Sequence, residues 1–315
     1  MCYGWLLLMA GCSFDQDMRY YPATQGAYFL VRDTLGQMSV ALARAGAIER
    51  DWEGGLGWQP GEVGGLDGRG LALWLANASR SELVQMRFDD GSPAVGGRYA
   101  LGDTFRPVHV CVGAQRVLLC DTLHRQIAFW DIGRERLVVM PPGALPGRAL
   151  YRSGKFYLPT GGRKLQIWQE EALAIIDSLA FDHPIADLQM AEDEMIWVLT
   201  RDSAQLYSAR IDYNSNAIFE AETPRTQQKL QFSPYAHRPY GKEYTGTGQL
   251  IGGIVRPGNF RGVSDFYLDF FDGELYFIQA DSLYCFHIER QERQVLGVLP
   301  AFFETAYFWR DAVGE

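Results

Sequence analysis

The run CDTLHRQIAFWD, Cys120 to Asp131, sets a short polar turn between two apolar stretches. Weaker copies of that layout recur along the chain at a spacing of roughly forty residues. The units open at Tyr28, Leu71, Val117, Phe156, Ile196 and Leu275, and the last interval is nearly twice the others. Each unit shows a turn with Gly or acidic residues, an apolar strand, a polar hairpin and an alternating strand. A unit of this size cannot bury both of its faces alone, so it needs neighbours on each side. The first apolar strand of a unit is expected to be buried on both faces and the second to alternate. Trp74, Trp130, Trp168 and Trp197 fall in these strands, where packing between neighbouring units accounts for them.

The unit at Val117 resembles the NHL repeat, whose second hairpin reads roughly A-D-T-x-N-x-R-I-x-V-F-D. Asp121, Thr122, Ile127, Phe129 and Asp131 stand at matching or adjacent positions. The unit at Leu71 echoes it through Asn77, Ser79 and Phe88-Asp89, and Ala280-Asp281-Ser282 keeps the turn chemistry in the unit at Leu275. The Asn-His-Leu motif is itself absent, and the units at Tyr28 and Phe156 lack the Asp-Thr pair. The resemblance implies an all-β fold, a single β-propeller of four-stranded antiparallel blades whose ring closure removes exposed strand edges. Six blades are favoured over seven, because Glu222 to Gly262 lacks a paired-strand pattern. Asp121, Asn77 and Asp281 read as structural, since a side-chain oxygen in a turn accepts backbone N–H groups and fixes the hairpin.

Ahead of the repeats, a short apolar run from Trp5 ends in Leu8-Met9-Ala10-Gly11, directly before Cys12. This resembles the bacterial lipoprotein signal, in which cleavage precedes the cysteine and a diacylglycerol thioether anchors it. The expected organisation is a signal peptide over 1–11, a tether over 12–22 and the propeller over 23–315, with Cys12 lipidated. The resemblance implies a lipid-anchored protein of the bacterial cell envelope, at the outer membrane. No apolar run approaches the roughly 20 residues of a membrane-spanning helix, so contact with the membrane is expected through the lipid alone. A net charge of -9 argues against nucleic acid, which needs a clustered positive surface.

Signals for chemistry are sparse. The five histidines are scattered, no two cysteines have CxxC spacing, and G-x-S-x-G is absent. With Cys2 removed and Cys12 lipidated, Cys111, Cys120 and Cys285 remain, and buried free thiols are favoured over a Cys111–Cys120 disulfide. No cofactor is expected. The stretch from Tyr235 to Arg261 differs from its surroundings by being basic and aromatic. Within it Tyr235, His237, Arg238, Tyr240, Lys242, Tyr244 and Arg256 form a candidate binding loop, because Tyr and Arg dominate binding hot spots. The same stretch also reads as a degenerate unit with its aromatics in the core. The reading favoured is a binding or scaffold module for an envelope protein, a peptide or a glycan. The alternative is a propeller hydrolase or lyase with an axial Ca²⁺ or Zn²⁺ held by residues such as His109, His183 and Asp265. If the loop is the interface, replacing Arg238, Tyr240 and Tyr244 together by Ala leaves the thermal melt unchanged and abolishes partner capture. Unchanged capture removes the loop from the interface.

Overall fold

The computed structural model describes the strands named below, residues 56–58, and 63–225 apart from 70–71, 88–93, 191–194 and 204; side chains are described mainly within 65–224 and 279–296. The first sheet contains β1 (Gln25–Arg32), β2 (Met38–Arg44) and β3 (Ala47–Glu49). Four four-stranded meanders follow. They are β4 (Val63–Arg69) to β5 (Ala72–Asn77), β6 (Glu82–Arg87) and β7 (Ala94–Ala100); then β8 (His109–Val112), β9 (Arg116–Asp121), β10 (Gln126–Asp131) and β11 (Arg136–Val139). The next two are β12 (Leu150–Arg152), β13 (Lys155–Thr160), β14 (Lys164–Gln169) and β15 (Ala174–Ala180), and β16 (Ile185–Met190), β17 (Met195–Arg201), β18 (Leu206–Asp212) and β19 (Ala217–Arg225). A three-stranded sheet of β20 (Lys229–Phe232), β21 (Pro239–Glu243) and β22 (Gln249–Ile251) precedes β23 (Val263–Asp269), β24 (Glu274–Gln279), β25 (Ser282–His287) and β26 (Glu292–Val298). The last strand, β27 (Phe303–Arg310), returns to pair antiparallel with β1 and completes the first sheet in the order β27-β1-β2-β3.

The leading strands of successive sheets touch one another: β27 meets β4, β4 meets β8, β8 meets β12, and β16 meets β20. The sheets therefore stand around an axis with their leading strands innermost, and the pairing of β27 with β1 ties the two ends of the repeat array together. This is a β-propeller. Seven sheets are present among the described residues, where the sequence pattern favoured six units. The difference is the sheet β20–β22, which falls inside the interval that lacks a paired-strand pattern. Its strands are three to five residues long, too short to register as alternation over a window.

Burial follows the expected division of labour. The second strands β5, β9 and β13 share the pattern of one half-buried residue followed by five buried ones. Only residues flanked by sheets on both faces can be buried in an unbroken run in this way. One cluster joins Trp74, Leu83, Phe105, Val110, Leu119 and Trp130 across two sheets, with Tyr99 stacked between the two tryptophans at centroid distances of 6.1 and 4.5 Å. The next joins Leu118, Phe129, Phe156 and Leu158, and includes Cys111 and Cys120. These cysteines and Cys285 are buried thiols in no disulfide. The register sets Cys111 opposite Leu118 and Cys120 opposite His109. That offset leaves no cross-strand cysteine pair to oxidise.

The hairpin reading of Asp121 and Asn77 holds in atomic detail. Asn77 Oδ1 accepts the Arg80 amide at 2.9 Å. Asp121 is fully buried and accepts the amides of His124 at 2.9 Å and Arg106 at 2.7 Å, and His124 Nδ1 lies 2.6 Å away. Desolvation alone would raise this carboxyl, but the hydrogen bonds from His124 and Arg106 outweigh it and hold the group below its ordinary value. Asp281 lies outside the described residues.

Two devices repeat in the structure without a sequence signature. The innermost strands β4, β16, β23 and β27 each skip one residue of register near their start. The outermost strands β7, β15 and β26 each skip one as well, and β19 shifts register twice. Such bulges bend and twist a strand, which on an outer strand spoils its edge as a template for pairing. Val95, Ile175, Ile176, Ile218, Phe219 and Val295 are exposed at these outer bulges.

Polar clamps also join neighbouring sheets. Glu170, buried in the turn after β14, accepts the amides of Gln115 and Arg116 at 2.7 and 2.9 Å with one oxygen and the Tyr151 hydroxyl at 2.8 Å with the other. It thereby holds the β8–β9 turn of the preceding sheet. Gly113 makes room for it, because an added Cβ would sit 2.5 Å from Glu170 Oε1 and 2.6 Å from Phe156 Cζ. Gly113→Ala is expected to lower stability in urea by about 1–3 kcal/mol. Gly143→Ala, at a position with no neighbour within 4 Å, stays within about 0.5 kcal/mol of the parent. Equal losses in the two variants would show that the clamp is not what Gly113 protects.

Candidate ligand site at the inner strand ends

The candidate residues named from sequence separate into three groups. Cys12, Tyr235, His237, Arg238, Tyr244 and Arg256 lie outside the described residues. Tyr240 and Lys242 lie in β21, where Tyr240 pairs with Gln231, and Lys242 pairs with Lys229 on one side and Leu250 on the other. His109 and Asp265 lie on innermost strands, while His183 stands two residues ahead of β16 in the loop that enters it.

His183 is held by its own sheet. Glu222 of β19 accepts the Asp182 amide at 2.7 Å, receives the Thr200 hydroxyl, and lies 3.2 Å from His183 Nδ1. The imidazole stacks on Tyr207 at 4.0 Å between centroids, and the Tyr207 hydroxyl donates to Asp202 at 3.0 Å. This matches the role of Asp121, a carboxylate that pins the loop entering a sheet. Its partners are spent on that task.

The surroundings of His109 are different. Here β4, β8 and the loop leading into β12 meet at the axis. Gly65 of β4 runs so close to β8 that a Cβ on it would meet the Val108 carbonyl at 3.0 Å and the His109 Cα at 3.1 Å. Two residues on, the Asp67 carboxylate accepts the Val112 amide of β8 at 2.7 Å and the Gly68 amide at 2.9 Å. Residues 65–68 and His109 are half-buried, although they stand between two sheets, and Arg148 is exposed. These inner strands therefore reach solvent along the axis.

Electrostatics bind the group together. Desolvation pushes Asp67 up to about 6, against the lowering by its two amide bonds and by Arg148. Desolvation, assisted by the charge of Arg148, holds His109 below the ordinary histidine value. Burial pushes the Cys111 thiol far up, with the Asp67 charge adding to it, so that thiol is protonated and carries no charge at neutral pH. Burial likewise takes Cys120 up to about 12. Neither thiol is a nucleophile in this state. Among the described residues the Arg148 guanidinium and the His109 ring make no hydrogen bond or ion pair. Asp67 acts on Arg148 through its charge, and no ion pair joins the two among the described residues.

A cation fits this site poorly, since it would stand beside Arg148. Among the described residues no group of three or more His, Cys, Asp or Glu could hold a metal ion. By register Gly65, Asp187 and Asp265 occupy equivalent places just past the inner-strand bulge. Asp187 accepts the amide of Leu188 at 2.9 Å. Sequence reasoning reached His109 but missed Asp67 and Arg148. Asp67 lies in the Gly-rich VGGLDGR, which reads as a turn, and Arg148 lies in the Pro- and Gly-rich PPGALPGRAL, which has no period at all.

No family model matches this chain, and no curated protein matches it in sequence. Solved structures do match it in fold. A candidate 6-phosphogluconolactonase from Bacteroides uniformis superposes with a TM-score of 0.66 at 10% identity, covering 90% of this chain and 99% of that one. A protein from Lactobacillus plantarum gives 0.63 at 14% identity, with 91% and 100% covered. A functionally unknown protein from Desulfotomaculum acetoxidans gives 0.62 at 11% identity, with 92% and 100% covered. At these identities the likeness shows the propeller fold and nothing finer.

The raised value of Asp67 sets a testable sign. A carboxyl raised in the fold binds its proton more tightly there than in the unfolded chain, so its contribution to stability is present below the unfolded value near 4 and is lost as pH rises toward 6. Asp67→Asn removes that loss. The stability of the variant relative to the parent is therefore expected to rise between pH 4 and pH 7, by at most about 3 kcal/mol. Denaturant titrations across that range check it, and a difference that stays flat would mean Asp67 carries no buried charge.

Proposed function

We propose that this chain is a lipid-anchored propeller of the bacterial cell envelope, held at the outer membrane through Cys12. It serves as a binding or scaffold module for a protein, peptide or glycan partner, which it engages at the axial mouth beside His109. The observation that carries this reading is a pair of side chains without a hydrogen-bond or ion-pair partner among the described residues, an exposed Arg148 on the loop entering β12 and a half-buried His109 on the inner strand β8. Preformed polar groups without internal partners, set in a concave site on a rigid scaffold, are what a binding site supplies. The basic, aromatic stretch with Tyr235, His237, Arg238, Tyr240, Lys242, Tyr244 and Arg256 would add a second contact. The reading needs no cofactor. The rival reading, a hydrolase or lyase with an axial metal, requires a cation that the charge of Arg148 disfavours.

The test uses the full chain in its host. Cys12→Ala is expected to abolish labelling by a lipid precursor and move the protein from the membrane fraction to the soluble one. A photo-crosslinking residue in place of Ala144, an exposed position on the loop leading into β12, is expected to capture an envelope component. The same residue in place of Gly133, in the turn at the opposite end of β10, captures nothing. Crosslinks only from Gly133, or about one equivalent of bound metal in the purified protein, would overturn the reading.

A further inference from the structure

We propose that the axial mouth between β4, β8 and the loop entering β12 binds an oxyanion, a carboxylate or phosphate group of the ligand, through the Arg148 guanidinium and the His109 ring. This rests on the reading of that mouth as the contact site, and it adds the chemical class of the group recognised there.

Charge accounting is the first argument. The chain carries -9 overall, so a place that attracts an anion must be made by local groups. Arg148 supplies a positive charge with five N–H donors, and among the described residues none of them is used. Asp67, the acid that feels the Arg148 charge, is held by the Val112 and Gly68 amides and makes no ion pair with it among the described residues. Asp67 therefore tempers the local field without forming a paired fork with Arg148. Beneath it Cys111 remains a neutral thiol, and the only other acid acting on that thiol, Glu170, is engaged by Gln115, Arg116 and Tyr151. Among the described residues here Arg148 is the strong donor left over, and its fork matches two oxygens of one carboxylate or phosphate.

The second argument is backbone commitment. Helix ends and backbone nests hold anions on free amides, and two of the amides beside this mouth are taken. Val108 N donates to the Cys120 carbonyl and Gly147 N to the Pro159 carbonyl, both at 2.8 Å. Among the side chains, His109 is the second group available. Gly65 places no side chain between β4 and His109, where even a Cβ would meet β8 backbone. The strand pair is fixed and the ring of His109 is the group that varies in protonation.

The titrations act in one direction. Among the described residues, Asp67, His109 and Cys111 are the titratable groups shifted by the Arg148 charge. As pH falls from 8 toward 6, Asp67 begins to lose its negative charge and Cys111 does not change. Acidification also protonates His109, at a lower pH than an ordinary histidine requires. Each step makes the mouth more positive, so anion binding tightens on acidification.

The test titrates inorganic phosphate and, separately, acetate into the full-length protein at constant ionic strength, following melting temperature and the His109 ring signals by NMR. The expected result is a saturable rise in melting temperature and a saturable His109 shift with at least one of the two anions, stronger at pH 6 than at pH 8. Arg148→Gln, which removes an exposed side chain with no partner among the described residues, is expected to melt as the parent does and to weaken binding by about tenfold or more. His109→Gln weakens it less, and Arg134→Gln, exposed at the other end of the propeller, leaves it unchanged. A response to phosphate alone assigns a phosphoryl group, and one to acetate alone a carboxylate. An identical response in Arg148→Gln, or none that saturates, overturns the proposal. If crosslinking from Ala144 persists in that case, only the anion class fails; if it is absent too, the mouth is not the contact site.

Discussion

The approach of one inner strand to the next is the constraint on which the rest of this propeller depends. Sheets arranged around an axis crowd most at their leading strands, and here the crowding reaches backbone contact: Gly65 lies against the Val108 carbonyl and His109 Cα with no room for a relaxed side chain. Farther out the same two sheets diverge, and the gap is filled by Trp74, Tyr99 and Trp130. Small residues inside and aromatic ones outside follow from the wedge shape of that gap. The bulges near the starts of β4, β16, β23 and β27 bend the leading strands at the same register position, which fits them to the crowded end.

Apolar packing alone would let the sheets slide, because hydrophobic contact has no direction. Direction comes from polar clamps that each tie a side chain on one element to backbone on another. Asp67 holds Val112, Glu170 holds the β8–β9 turn, Asp121 and Glu222 hold the loops that enter their sheets, and Lys155 reaches the Tyr213 carbonyl and Asn216 of the next sheet at 2.8 and 2.9 Å. The His–carboxylate pairs at His124 and His183, which resemble catalytic dyads in isolation, are consumed in this way. What distinguishes the axial mouth is that His109 and Arg148 are left over after the clamps are assigned.

Legibility in the sequence tracked periodicity. The second strand of each sheet announced itself, as in Val117 to Cys120 or Phe156 to Leu158, because burial on both faces demands an unbroken apolar run. Innermost strands did not, since VGGLDGR combines glycines for close approach with a carboxylate for clamping and so imitates a turn. Outermost strands were equally quiet: β15 exposes most of its residues and its bulge breaks the alternation. The sheet β20–β22 escaped for want of length. For the site, His109 could be named as a residue type worth watching, whereas Arg148 carried no local signal, because its importance lies in lacking a partner, and partners are a property of three dimensions.

The sequence by itself determined the all-β repeat, the two-sided burial of the second strands, the structural role of the hairpin residues Asp121 and Asn77, and the preference for free thiols. Each of these is a local matter, settled by spacing along the chain or by hydrogen bonds within a turn. The tertiary structure decided the closure of β27 onto β1, the clamps between sheets, and the meeting of Gly65, Asp67, His109 and Arg148 at the axis. These depend on segments far apart in sequence being brought together by ring closure, and no local pattern encodes which of their polar groups will find a partner there and which will face the solvent alone.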